Sequence, residues 1–151
     1  MRRTFLKIAA AAGVAMLVAG CAATGAKHAE MAGSIPSLKP GEGRIYFYRQ
    51  SSMVGAALSP DVRLNRDVVG EARNGGFFYV DRPSGSFVAS SSTETEKLLS
   101  FSLAAGETKY VRMYPSMGIV AGRMNLELVP AGQGRTDLSS LSYTGKPVAS
   151  R

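Results

Sequence analysis

Histidine and cysteine occur once each in this chain, at His28 and Cys21, and tryptophan is absent. Beyond residue 28 there is neither imidazole nor thiol, so Ser-His and Cys-His nucleophile pairs and histidine-based metal sites cannot be assembled there. No Ser-x-x-Lys spacing occurs, and no phosphate-cradling glycine loop of the P-loop or dinucleotide type. With one cysteine, no internal disulfide can form, so stability must come from packing. Clustered positive charge is missing too. The formal net charge of +7 is spread over single Lys and Arg residues, without the patch that marks a nucleic-acid-binding surface. These absences predict a non-enzymatic protein with no catalytic residue, no metal site and no cofactor.

What is present begins at the N-terminus. Arg2, Arg3 and Lys7 precede an unbroken run from Ile8 to Gly20 that carries no charge. As a helix it would span about 20 Å, short of the roughly 30 Å of a bilayer core, which fits a secretory leader. It ends in Leu17-Val18-Ala19-Gly20-Cys21, which resembles the lipobox of bacterial lipoproteins. That resemblance implies removal of residues 1–20, with Cys21 acylated by palmitate-type chains as the new N-terminus and the lipid as the membrane anchor. An ordinary leader with a chance cysteine is one alternative. Export through the twin-arginine route, on Arg2-Arg3-Thr4-Phe5-Leu6-Lys7, is another. Ala22, rather than Asp, follows the cysteine. By resemblance to enterobacterial sorting this implies the outer membrane with the domain facing the periplasm, and inner-membrane retention stays open.

Losing the three leader cations takes the net charge from +7 to +4, a mildly basic surface. Residues 21–40 are rich in Ala, Gly, Ser and Pro without a sustained apolar period, and predict a flexible tether of about 25 Å root-mean-square reach. His28 falls in it as an exposed, inert side chain. Residues 41–144 are long enough for one domain with one core, and 145–151 read as a loose tail.

Within the domain the punctuation is that of strands. Arg44-Ile45-Tyr46-Phe47-Tyr48-Arg49 is β-branched and aromatic. Val62–Asn65 and Val68–Ala72 flank a tight turn at Asn65-Arg66-Asp67. Asn74-Gly75 signals a hairpin leading into Phe77-Phe78-Tyr79-Val80. Alternation sends Phe77 and Tyr79 to one face and Phe78 and Val80 to the other. Ser86–Ser91 follows a Pro83-Ser84-Gly85 turn. Leu99, Phe101 and Leu103 alternate with serines; Thr108–Tyr114 and a strand turning Met124, Leu126 and Leu128 inward complete the set. Thr136 is placed to cap a short helix through Leu141. About seven or eight short strands and no long helix predict an all-β chain, a small antiparallel β-sandwich or partly open barrel with a short C-terminal helix.

Several phrases then add up to a resemblance. They are Ser34-Ile35-Pro36, Gly43–Arg49, Gly75-Gly76-Phe77-Phe78-Tyr79-Val80-Asp81-Arg82-Pro83, Ser92-Thr93-Glu94 and Ser116-Met117-Gly118. Together they resemble a proteobacterial lipoprotein family known as domain of unknown function 2846, over roughly residues 31–144. The plan of Val62 to Tyr114 is also similar to PEGA-type modules, which implies a transthyretin-like sandwich. In such modules Asn-Gly often stands where this chain has Asn65-Arg66. No active site comes with either likeness.

Candidate binding residues remain. Phe78 and Tyr79, rimmed by Asp81 and Arg82, could offer aromatic surface to a glycan or small ligand; alternatively they are core, with Asp81 and Arg82 as a local ion pair. Asp61 with Asp67, and Glu94 with Glu96 on one strand face, are carboxylate pairs for a cation or acid–base work, or else a solvated edge. Met53–Leu58 and Met117–Gly122 are glycine-containing apolar stretches, either core strands or an exposed contact patch. The expected role is a lipid-anchored envelope protein whose sandwich binds or positions an envelope protein or cell-wall partner. The alternative is periplasmic capture of a glycan or small ligand.

Overall fold

The computed structural model describes residues 23–145. Among these residues nine strands form two sheets: β1 (Glu42–Tyr48), β2 (Asp61–Leu64), β3 (Asp67–Glu71), β4 (Gly76–Pro83), β5 (Gly85–Ser92), β6 (Glu96–Leu103), β7 (Thr108–Ser116), β8 (Arg123–Val129) and β9 (Ser142–Tyr143). One sheet has the order β8-β7-β1-β4-β9 and the other β3-β2-β5-β6. Neither sheet closes, so the architecture is the expected sandwich and not a barrel.

The pairing is mostly antiparallel, with two departures. β1 runs parallel to β7, with Tyr46 opposite Tyr110, and β9 runs parallel to β4. The Asn74-Gly75 turn is not a hairpin either. Gly75 takes φ +71°, but the strands it joins, β3 and β4, belong to different sheets. The same local bend carries the chain across the sandwich instead of back along a neighbour.

Strand alternation sets the core. Ile45, Phe47, Phe78, Val111, Met113 and Met124 face Val62, Leu64, Ala89, Phe101 and Leu103 between the sheets. Phe47 and Phe78 stack there at 5.1 Å. Gly70 makes room for this. A Cβ at that position would lie 2.6 Å from the Phe78 ring, so only glycine lets the ring close over β3. At the end of β8, Leu128 is exposed; the inward row expected there reaches only to Leu126.

The opposite face of the five-stranded sheet carries Tyr46, Tyr48, Phe77 and Tyr110, and it too is covered. Helix α2 (Ala131–Leu138) lies on it, starting well before the expected Thr136 cap, with Pro130 at its N-cap. Gly134 permits the close approach, since a Cβ there would lie 2.3 Å from Tyr110 Cγ. The Tyr48 hydroxyl donates to Asp137 at 2.7 Å and fastens the helix.

The rest of the cover is the segment expected to be a free tether, and here the expectation is corrected. Described residues from 23 onward dock on the sheet through α1 (His28–Met31) and a 3-10 turn (Ala32–Ser34). The His28 and Tyr143 N–H groups donate to the Leu141 and Ala26 carbonyls, and Met31 is buried. His28 is half-buried, edge-on to Tyr46 and Phe77 at 5.8 and 5.2 Å, and burial lowers its pKa. The physical reason is the aromatic face itself, which a polar coil would leave exposed to water. The leader, Cys21 and residues 146–151 of the tail lie outside the described residues.

Candidate functional site

One end of the sandwich gathers the loop between β1 and β2, the turns β3–β4 and β5–β6, and the loop between β7 and β8. The β7–β8 hairpin reaches this end by continuing past its partner. β1 pairs with β7 only as far as Arg112, whereas Met113–Ser116 pair with β8 alone. At the tips the apolar side chains point into solvent. Met53 is 95% exposed, Met117 84%, Ile119 90% and Val120 89%, with Val54 half in the open. The two glycine-containing stretches are therefore loops with exposed apolar tips and not core strands.

They are also neighbours. A Cβ on Gly55 would lie 2.7 Å from Pro115 Cβ, and one on Gly122 would lie 3.0 Å from Leu58 Cδ1, so Leu58 is wedged between the loops. Gly55 and Gly122 take φ +65° and +110°, which leaves little room for other residues.

Two charged side chains hold these loops from inside. Arg49, fully buried, follows β1 directly. Its Nη1 donates to the Leu58 and Ala72 carbonyls at 2.5 and 2.9 Å, and its Nη2 donates to Gly55 at 2.6 Å. It makes no ion pair among the described residues, and its Nε makes no hydrogen bond there. Burial lowers its pKa without threatening its charge at neutral pH. Glu94, in the β5–β6 turn, plays the same part for the other loop. Its carboxylate accepts the N–H groups of Ile119 at 2.9 Å, Val120 at 2.8 Å and Ala121 at 3.3 Å, and Arg123 Nε at 3.2 Å. The backbone N–H groups of Val120 and Ile119 are the main reason its pKa lies below the ordinary carboxylate range. Gly118 is required beside it, because a Cβ there would fall 2.0 Å from Glu94 Oε1. Thr93 Oγ1 donates to the Gly122 carbonyl at 2.7 Å and closes the arrangement.

The carboxylate pairs do not assemble. Glu94 is committed to the loop, while Glu96 starts β6 and points outward. Asp61 and Asp67 begin successive strands, opposite Glu71 and Leu64, at different ends of the hairpin. Among the described residues no three His, Cys, Asp or Glu side chains stand together as metal ligands.

The aromatic phrase divides between the faces as alternation requires. Phe78 is 2% exposed inside the sandwich, so it offers no surface to a ligand. Tyr79 is half-buried on the other face, tilted against Tyr46 and Tyr143. Asp81 pairs across the strands with Arg44 and not with Arg82. Arg44 Nε and Nη2 donate to it at 2.7 and 2.8 Å, and Nη2 also donates to the Pro36 carbonyl. The Arg44 guanidinium lies 4.6 Å from the Tyr79 ring centre, and Arg82 donates to the Asp81 carbonyl. This group clamps the N-terminal segment to the sheet. A shallow depression of about 440 Å³ lies elsewhere, between β5 and β6 at Ser86, Val88 and Ser100.

The two open sheets and these loops define a β-sandwich with exposed apolar tips at one end, braced from inside by charged side chains. The chain belongs to the family described as "Protein of unknown function (DUF2846)", whose model matches residues 39–124. It is similar to an uncharacterized protein of Haemophilus influenzae, with 28% identity over 134 residues that cover 86% of this chain and 79% of the relative. No solved structure matches it.

The matched span covers β1 to the start of β8, including Arg49, Glu94 and the two loops they serve. In the sequence Glu94 stands out only for its carboxylate, and Arg49 only as the end of a strand. Their roles rest on carbonyls and N–H groups far along the chain, Ala72 for Arg49 and Ala121 for Glu94, which no local pattern marks.

Proposed function

We propose that this protein is a lipid-anchored component of the bacterial cell envelope, acylated at Cys21, with a non-enzymatic sandwich that makes contact through its loop end. The observation that carries the reading is the Leu17–Cys21 lipobox behind an uncharged run too short to span a bilayer. No helix among the described residues is long and apolar enough to cross a membrane. Apolar tips held by internal charges support a binding or scaffolding role over a chemical one. By the resemblance of Ala22 to the sorting rule, the outer membrane is its place, with the domain facing the periplasm.

Growth with an alkyne-tagged fatty acid, followed by fractionation, tests this. The wild-type chain is expected to carry the tag and sediment with membranes, and the Cys21→Ala chain to lose both. Equal membrane retention of Cys21→Ala would sink the anchor.

A further inference from the structure

We infer that the partner of the apolar loop end is the membrane leaflet that holds the anchor, so that the domain sits loop-end down on the lipid. The inference deepens the lipidation reading above and rests on it. Its own ground is where the chain leaves the fold. The Ala23 N–H donates to the Asn74 carbonyl, and Asn74 Oδ1 accepts the Ser52 N–H at 2.9 Å. Ser52 is followed directly by the exposed Met53 and Val54. The first described residue thus lies at the end of the sandwich that carries the apolar tips. Only Ala22 separates it from Cys21, and two residue steps span at most about 7 Å. A long free tether would let any face meet the membrane; so short a link leaves this end.

The chemistry of the loops suits that neighbour. Apolar side chains at a water–lipid boundary gain by entering the acyl layer. Backbone N–H groups taken there must already be satisfied by the protein. Glu94 does this for Ile119, Val120 and Ala121, and Arg49 serves the carbonyls of Gly55 and Leu58. Around this end Arg73 is paired with Glu71, and Arg123 with Glu94. Lys97, one residue into β6, has no ion pair among the described residues, so a weak electrostatic contribution joins an attachment expected to be mainly apolar.

The absence of tryptophan makes the test direct. Full-length lipidated protein carrying Ile119→Trp, Val54→Trp or, as a control, Val68→Trp would be reconstituted into phosphatidylcholine vesicles with brominated acyl chains. Val68 is exposed and lies by the β2–β3 turn at the opposite end. Bromolipid is expected to quench positions 119 and 54 at least threefold more than 68, at high salt as well as low. Quenching at 119 no greater than at 68 in acylated, vesicle-bound protein would overturn the inference and leave lipidation standing. Protein without the acyl chain would remove both. Protein adducts, instead of lipid adducts, from a photoreactive side chain at 119 in cells would assign the surface to a protein partner and also overturn it.

Discussion

Arg49 gives the most exposing perturbation of the loop end. Substitution Arg49→Met keeps the apolar stem and removes the guanidinium that donates to Gly55, Leu58 and Ala72. Hydrogen bonds from a charged donor contribute about 1.5–3 kcal/mol each, so three amount to roughly 5–9 kcal/mol. Holding an un-neutralised cation out of water costs several kcal/mol, which the methionine no longer incurs. The difference leaves a net loss of about 2–4 kcal/mol. Arg49→Lys should fall between, because a single ammonium cannot span three carbonyls as the planar fork does. Urea unfolding gives the stability, and amide exchange over residues 53–58 reports whether the loop loosens first. A loss below about 0.5 kcal/mol, on the scale of an ordinary surface substitution, would refute the assignment of Arg49 as the loop's internal brace. Full retention of stability by Arg49→Lys would refute it as well.

The other predictions touch separate parts of the fold. Arg66→Gly should stabilise the chain by about 0.5–1 kcal/mol in thermal unfolding, since Arg66 holds φ +76° in a turn that favours glycine. Gly134→Ala should destabilise by about 1–3 kcal/mol despite alanine's better helix propensity, because the new Cβ meets the Tyr110 ring. Glu94→Gln should speed amide exchange at residues 119–121. In the wild type the same loosening should appear only as pH falls below 4.5, because a carboxylate with a depressed folded pKa contributes above its unfolded value and is lost as the folded value is crossed. His28 has the opposite charge chemistry and the same direction. Its folded pKa is lowered, so the unfolded form binds more protons, and docking of residues 27–35 should weaken as pH falls below 6.5. His28→Phe should abolish that pH dependence in exchange measurements.

The strands were legible because alternation is a local signal. Leu99, Phe101 and Leu103 turn inward as their spacing requires, and Phe77 with Tyr79 parts from Phe78 with Val80 onto opposite faces. Pairing was less so. Nothing local distinguishes Asn74-Gly75 as a crossing between sheets from the same dipeptide in a hairpin, and the parallel β1–β7 pair depends on the whole order of the sheet. The N-terminal segment misled for a related reason. Its few apolar residues, Met31 and Ile35, have no period, and their partners on β1 and β4 become visible only once Tyr46 and Phe77 share a face. At the loop end, composition marked both apolar stretches but leaned toward core, and the structure places their tips in solvent. The deciding fact is that β7 and β8 outrun β1, which is a matter of register.

On the proposed reading an acylated Cys21 and the loop end meet the same leaflet, and thiol accessibility tests this most directly. Since Cys21 is the only cysteine, Ile119→Cys and Val68→Cys each add one assignable thiol to the chain. Maleimide labelling of reduced, isolated membranes compares them. Val68→Cys is expected to label at once, and Ile119→Cys only after detergent dissolves the bilayer. Equal labelling of the two in intact membranes would contradict a loop end seated on lipid.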